Sequence, residues 1–377
     1  MTALRVALVA GSLTQGGAER QLIYLVQALT RRHVEVRVFT LTRDEHYEGA
    51  LVATGARVTW VGRRAHPAAR LLVLRRHLST YQPHVVQSTH FFGNLYVALL
   101  ARGRTHLGIG ALRNDVHFEV AANGAWGPWL LRLPPLLLAN SEVARSNAMA
   151  LGRASDTVFV LSNAIDVADF DRQAALPGLA RADGDIVATV VARLVEQKRV
   201  DRFLDALAFA RRRQPALRGV IVGDGPERSS LEQRARALGL GEQALSFVGR
   251  RDDVAALLRT SDMLVLTSTH EGTPNVILEA MAAGVPVVTT TAGGAGDLVT
   301  AAGSGLVVEN ADVQNAIGSA LLRMAEDPTL RGRGGVAGRA HVTRHHDLAD
   351  LGDRVLDVYR QMAGAVRATT VARCLAA

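Results

Sequence analysis

Short, apolar, valine-rich runs alternate with helical patterns along this chain, and the series starts twice. "LRVALVAG" ends in glycine and leads into "GGAERQLIYLVQALTRR", where Leu22, Leu25, Val26 and Leu29 recur at helical spacing. Continuous apolar runs of this length read as strands buried on both faces, as in parallel sheets. The first series continues through "VEVRVFTL", "RVTWVG", "PHVVQST", "GIGALR" and "LLLAN" to "VFVLSNAI". Residues 167–184 then break the rhythm with small, polar, Gly and Pro residues and read as a linker. A second series runs from "IVATVVAR" through "RGVIVGDG", "LSFVGR", "MLVLTS" and "PVVTT" to "GLVVE". Such alternation implies βαβ units and parallel sheets. Two series imply an α/β protein of two Rossmann-like domains facing across a cleft, with ligands at the carboxyl ends of the strands. The expected division is 1–166, a linker over 167–184, 185–345, and a terminal helix and tail over 346–377 that packs back toward the first domain. A chain of 377 residues is long for one core, which agrees with this division.

Composition narrows the function. With 48% hydrophobic and 21% charged residues the chain is globular. A net charge of +8 suits an anionic ligand or an anionic membrane surface, and the arginines are spread without one long block. Few aromatics, 5%, disfavour a base-stacking platform, and no nucleic-acid partner is expected. A single cysteine, Cys374, excludes a disulfide framework within the chain and suits a reducing cytoplasm. The N-terminal apolar run, flanked only by Arg5, reads as a first strand rather than a signal peptide. No uncharged apolar run reaches the roughly 20 residues of a membrane span. The nearest, "GPWLLRLPPLLLAN", is broken by Arg132, Pro134 and Pro135.

The stretch "HEGTPNVILEAMAAGVPVV" raises the chemical question, because it holds two glutamates, Glu271 and Glu279. "MLVLTS" reads as a buried strand, so "THEGTP" is the loop at its carboxyl end, with Thr273 as helix cap and Pro274 in the first turn. The helix then runs to Ala283 and stops at Gly284. Its free N-terminal amides offer a seat for phosphate. Glu271 would stand beside such a ligand and Glu279 would reach another part of it; a carboxylate is a bidentate acceptor for the vicinal diol of a ribose or hexose. Spacing alone favours Glu279 as a helix-surface carboxylate, whereas Ile277, Leu278, Ala280 and Met281 around it point to a mostly buried helix.

"SDMLVLTSTHEGTPNVILEAMAAGVPVVTT" resembles the signature of the retaining glycosyltransferases of family 4, or group 1, which have the GT-B fold; Glu271 and Glu279 match its E-x7-E element. The resemblance extends to "VARLVEQKRVDRFLDAL", "VIVGDGPERSSLE", "LSFVGRRDDV", "GGAERQLIYLVQAL", "ANSEVARSNAM" and "NAID", in the expected order over nearly the whole chain. It implies a nucleotide-sugar donor in the C-terminal domain, with Arg193 and Lys198 on its diphosphate, Glu279 on the ribose and Glu271 near the donor sugar. It implies backbone contacts from Gly272, Thr273, Pro274, Asn275 and Val276, the nucleobase beside Arg250, and Gly16 and Gly17 facing the phosphates. Glycine there permits close approach and a positive φ. His90, in "THFFGN", is placed in the cleft, as in many relatives. Arg113 and Asn114 stand where many relatives carry a histidine; Arg113 would supply positive charge at the reacting centre or bind an acidic acceptor.

The implied reaction moves a sugar from a nucleoside-diphosphate sugar, a uridine diphosphate sugar by the family's habit, to an acceptor hydroxyl with retention. The acceptor is a glycan, a lipid-linked or a small molecule; the setting is polysaccharide or glycolipid assembly, in the cytoplasm or at the inner membrane face. No cofactor or metal is expected. A sugar phosphorylase or sugar-nucleotide epimerase on the same fold is the alternative. Asp183-Gly184-Asp185 mimics a metal-binding D-x-D but falls in the linker, and "RHHD" near His345 reads as a solvated loop. Trp126 and Trp129 read first as core, and alternatively as an apolar patch at a membrane interface.

Overall fold

The computed structural model describes residues 3–62, 66–101, 106–178, 181–309, 313–366 and 369–376. Two compact units emerge, one of residues 1–164 with 348–377 and one of residues 165–347.

The first unit holds a seven-stranded sheet: β1 (Arg5–Ala10), β2 (Glu35–Thr40), β3 (Arg57–Trp60), β4 (Val85–Ser88), β5 (Leu107–Leu112), β6 (Leu136–Ala139) and β7 (Val158–Val160). Their order is β3-β2-β1-β4-β5-β6-β7, with every pair parallel. β1, β4, β5 and β6 are buried almost throughout, because helices cover both faces. Helix Gly17–Arg31 lays Leu22, Leu25, Val26 and Leu29 into this core beside Leu351, Val355, Tyr359 and Met362 of helix Leu348–Ala365. Tyr359 is fully buried, and its hydroxyl donates to Gln87 Oε1 at 2.6 Å, which satisfies a polar group that burial would otherwise strand.

The second unit holds β8 (Ile186–Val191), β9 (Leu217–Val222), β10 (Leu245–Gly249), β11 (Met263–Leu266), β12 (Val287–Thr290) and β13 (Gly305–Val308). Their order is β10-β9-β8-β11-β12-β13, again all parallel. In both sheets the chain adds strands on one side of the first strand and then crosses to its other side. The order therefore reverses between β1 and β4 and between β8 and β11. Helices leave on opposite faces at such a point, so a crevice opens at the carboxyl edge.

Several local expectations change. Residues 167–184 do not form a structureless linker from the start: helix Val167–Ala174 is capped by Asp166, whose carboxylate accepts the Asp169 amide at 2.9 Å. Its Val167, Phe170 and Ala174 are buried in the core of the second unit. Just past this stretch the Asp185 carboxylate accepts Arg218 at 2.8 Å and the Ala182 amide at 3.1 Å. "RHHD" is not a solvated loop: His345 ends helix Pro328–His345, and His346 is 5% exposed. That helix has four glycines and no sustained apolar period. The glycines serve close packing: a Cβ at Gly335 would lie 2.1 Å from the Gly284 carbonyl oxygen. Trp126 and Trp129 are not core either, at 64% and 59% exposed. The short helices around them turn Val116, Leu130 and Leu131 inward and leave the indoles outside.

Candidate active site

Most of the expected donor-site residues follow β8 or β11, the two strands at which the order of the second sheet reverses. Arg193 follows β8 and is exposed, and its guanidinium has no ion pair among the described residues. The chain then makes a tight turn, Glu196–Lys198, closed by Arg199 in the left-handed region at φ +45°. Arg199 holds the conformation with a bidentate bond to Asp201, at 2.9 and 2.8 Å. The turn is tied to the loop after β11: Thr267 Oγ1 donates to the carbonyls of Lys198 and Arg199 at 3.0 and 2.8 Å, and Gln197 Nε2 donates to the His270 carbonyl at 2.9 Å.

These ties place Lys198 Nζ 2.5 Å from Glu271 Oε1. Ser268 donates to the same oxygen at 2.6 Å. The two side chains are 18% and 8% exposed, so both charges are largely withdrawn from water and depend on each other. Glu271 Oε2 takes no hydrogen bond among the described residues. Gly293 locks the loop from behind. Its φ of +56° excludes other residues, and a Cβ there would lie 1.9 Å from the Glu271 carbonyl oxygen.

Gly272, Thr273 and Pro274 lead into helix Asn275–Ala282. The cap is Pro274, at φ −69° and ψ 121°, one residue later than expected, and its own side chain makes no cap bond. The first-turn amides, Asn275 and Val276 among them, thus lack the intrahelical acceptors that later residues have. Ile277, Leu278, Ala280, Met281 and Ala282 are buried on all sides of this helix, and Glu279 is 9% exposed, so the helix-surface reading of Glu279 is corrected. Gly249 closes β10 at φ +70°, and the exposed Arg250 follows it.

The matching crevice of the first unit lies between β1 and β4. Gly16 caps helix Gly17–Arg31 in an extended conformation, φ −155°, so neither Gly16 nor Gly17 uses the positive φ expected of them. Close approach is what Gly16 provides: a Cβ would lie 2.3 Å from Glu19 Oε2. Glu19 was not foreseen from the sequence. It is 6% exposed, its Oε1 accepts Ser12 Oγ at 2.8 Å, and His90 Nε2 lies 3.3 Å away. The Gly11 amide donates to His90 Nδ1 at 3.2 Å. A neutral imidazole must therefore carry its proton on Nε2, aimed at Glu19. Burial pushes the Glu19 carboxyl up, but hydrogen bonds from His90 and Ser12 outweigh it and hold the group below its usual range. Both ring nitrogens of His90 are thus engaged within the protein. Arg113 follows β5 at the same edge of the sheet, and Asn140 Nδ2 donates to its carbonyl at 2.9 Å.

Known families match both units. The family model described as Glycosyltransferase Family 4 matches residues 15–169, and that described as Glycosyl transferases group 1 matches residues 171–341. The chain belongs to the group 1, or family 4, glycosyltransferases.

This glycosyltransferase is 26% identical over 360 residues to the lipopolysaccharide core biosynthesis glycosyltransferase LpsD of Rhizobium meliloti, covering 92% of this chain and 95% of that one. It is 32% identical over 213 residues to a GDP-mannose-dependent phosphatidylinositol monomannoside mannosyltransferase of Corynebacterium glutamicum, over 52% of this chain and 55% of that one. The curated relatives matched at 30% identity or more are matched over 23% to 58% of their own length. Among solved structures, Anabaena HepE in complex with UDP and glucose superposes with a TM-score of 0.77 at 21% identity, over 94% of this chain and 98% of that one. That likeness establishes the fold: two Rossmann-like parallel-sheet domains of the GT-B type. Among the described residues no three of His, Cys, Asp and Glu stand together as a cation cage.

Proposed function

We propose that this glycosyltransferase moves a sugar from a nucleoside diphosphate sugar to an acceptor hydroxyl with retention at the anomeric carbon. The observation that carries the reading is the contact of Lys198 with Glu271, both largely withdrawn from water, on the loops that follow β8 and β11, where the order of the second sheet reverses. In this reading Arg193 and Lys198 meet the charge that grows on the leaving diphosphate. The first turn of helix Asn275–Ala282 adds backbone donors. Glu279 accepts from the ribose diol, and the open Oε2 of Glu271 accepts from the donor sugar. Arg250 stands beside the base. Glu271 Oε1 is already committed to Lys198 and Ser268, which disfavours a covalent nucleophile. The acceptor hydroxyl attacks the anomeric carbon on the face the diphosphate leaves; the bond to the diphosphate breaks as the new one forms, and the leaving phosphate takes the acceptor proton. The protein acts by positioning and charge stabilisation.

A uridine diphosphate sugar is our reading of the donor; UDP stands in the Anabaena structure, while the Corynebacterium relative is named for GDP-mannose. The names of the relatives support a role in polysaccharide, lipopolysaccharide or glycolipid assembly. Exposed Trp126 and Trp129, on a chain of net charge +8, support docking at an anionic membrane face. Because two protein cations meet the diphosphate, transfer is expected to survive a chelator.

The test is turnover of UDP- and GDP-sugars with a panel of acceptors, with the product's anomeric configuration read by NMR. The proposal expects one donor consumed, retention in the product, and at least a roughly hundredfold loss in Glu271→Gln, on the order of one catalytic hydrogen bond. Inversion, or no consumption of any donor, contradicts it.

A further inference from the structure

The carboxyl end of β5 holds two side chains that the fold leaves unsatisfied. The backbone there is fixed: the Ala111 amide donates to Asn94 Oδ1 at 2.7 Å, Asn94 Nδ2 returns to the Ala111 carbonyl at 3.2 Å, and Asn140 holds the Arg113 carbonyl. The next polar side chains are also committed. Asn114 Oδ1 accepts the Asp115 amide at 2.9 Å, and Asp115 caps helix Val116–Ala122 by accepting the Phe118 amide at 2.8 Å. Arg113 and Glu119 remain.

Arg113 keeps some contact with solvent, yet it is surrounded by protein, and burial pulls its guanidinium down to about 10. Among the described residues it has no ion pair and its guanidinium makes no hydrogen bond. Other cations of the chain are answered: Lys198 by Glu271, Arg199 by Asp201, Arg234 by Asp205. The carboxyl whose charge favours the Arg113 cation is Glu119, although the two form no ion pair. Burial pushes Glu119 up to about 8, against the amides of Arg113 and Asn114 and with help from Asp115, so at neutral pH it is mostly the neutral acid. Its Oε2 is buried without a hydrogen-bond partner. A guanidinium without an ion pair and a carboxyl oxygen, Glu119 Oε2, without a hydrogen bond are each costly, and one ligand would answer both. An oxyanion accepts from the guanidinium in a fork and from a carboxylic O–H.

We propose that Arg113 and Glu119 form a binding site for an oxyanion, a phosphate or carboxylate carried by the acceptor, so that this enzyme glycosylates an acidic acceptor. The acceptor assignment rests on the function proposed above; the anion site does not.

The probes are inorganic phosphate, glucuronate and neutral glucose, titrated calorimetrically into the full chain and into Arg113→Gln, Arg193→Gln, Glu119→Gln and Glu119→Leu. The expected result is binding of phosphate or glucuronate, and not glucose, that weakens about tenfold or more in Arg113→Gln. Arg193→Gln keeps that component, which separates it from the diphosphate seat. Glu119→Gln, which retains a donor, keeps it, and Glu119→Leu loses it. Preference for phosphate points to a phosphorylated acceptor, and preference for glucuronate to a uronate. Unchanged anion affinity in a folded Arg113→Gln, or equal binding of glucose, overturns the proposal. Nucleoside diphosphate binding is measured on the same proteins. Its loss with the Arg113 site intact would refute the donor reading alone.

Discussion

Lys198 Nζ and Glu271 Oε1 stand 2.5 Å apart in the crevice between β8 and β11, both largely withdrawn from solvent. Two residues assigned to one reaction are thus each other's counter-ion before any ligand arrives. Removing one leaves the other charged, buried and alone. Lys198→Met is expected to cost about 3 kcal/mol by urea denaturation, and Lys198→Met with Glu271→Gln less than the sum of the single changes. A Lys198→Met variant as stable as the parent would show that the pair does not hold in solution.

Gly293 bears on the same loop through its backbone. Its conformation, φ +56° and ψ −134°, is open only to glycine, and the Glu271 carbonyl stands where a Cβ would go. Gly293→Ala should destabilise by more than about 2 kcal/mol and weaken nucleotide binding together with it. Calorimetric melting and nucleotide titration check both; a neutral substitution would mean that the loop is free to move.

Glu119 sets a pH dependence. Its folded-state pKa, about 8, stands above its ordinary 4.5, so folding binds a proton. Stability from this group is fully present below the lower value and is lost as pH rises through the upper one. Arg113 opposes the shift and Asp115 adds to it. Glu119→Gln is therefore expected to gain stability over the parent between about pH 4.5 and about pH 8 and no further. Melting curves across that window test it, and a constant difference would contradict it.

Trp126 and Trp129 make no demand on the core, so replacing both with serine should change stability by less than about 1 kcal/mol. The membrane reading expects the same double variant to lose binding to anionic liposomes at low salt. Equal binding by parent and variant would remove the indoles from that role.

The strands were legible because a run such as "MLVLTS" or "IVATVV" has only one stable place, inside a parallel sheet, and the residues just past each strand then fall at the edge where ligands bind. Glu271, Lys198 and Arg193 follow from that rule together with the family resemblance. Helix Pro328–His345 was not legible. Its four glycines interrupt any apolar period, although Asp327 and Pro328 spell a helix start, with Asp327 accepting the Leu330 amide at 2.8 Å. Those glycines answer to a neighbouring backbone that sequence alone does not reveal. Glu19 was missed for a similar reason: it sits three residues after its cap, as a first-turn acidic residue often does, but its partners Ser12 and His90 come from other segments. Trp126 and Trp129 show the limit of the inside-outside rule, since large apolar side chains also serve surfaces.

The central claim is that the β8–β11 crevice holds a nucleoside diphosphate with Glu279 on its ribose. Thermal stabilisation by UDP, GDP, ADP and TDP, in the parent and in Glu279→Ala, tests it most directly. At about 100 times its dissociation constant a ligand stabilises by roughly 2.7 kcal/mol, enough to read in a melt. The account predicts a shift with one nucleotide, UDP in our reading, that shrinks in Glu279→Ala. A shift with none of the four, or one that Glu279→Ala leaves intact, would contradict it.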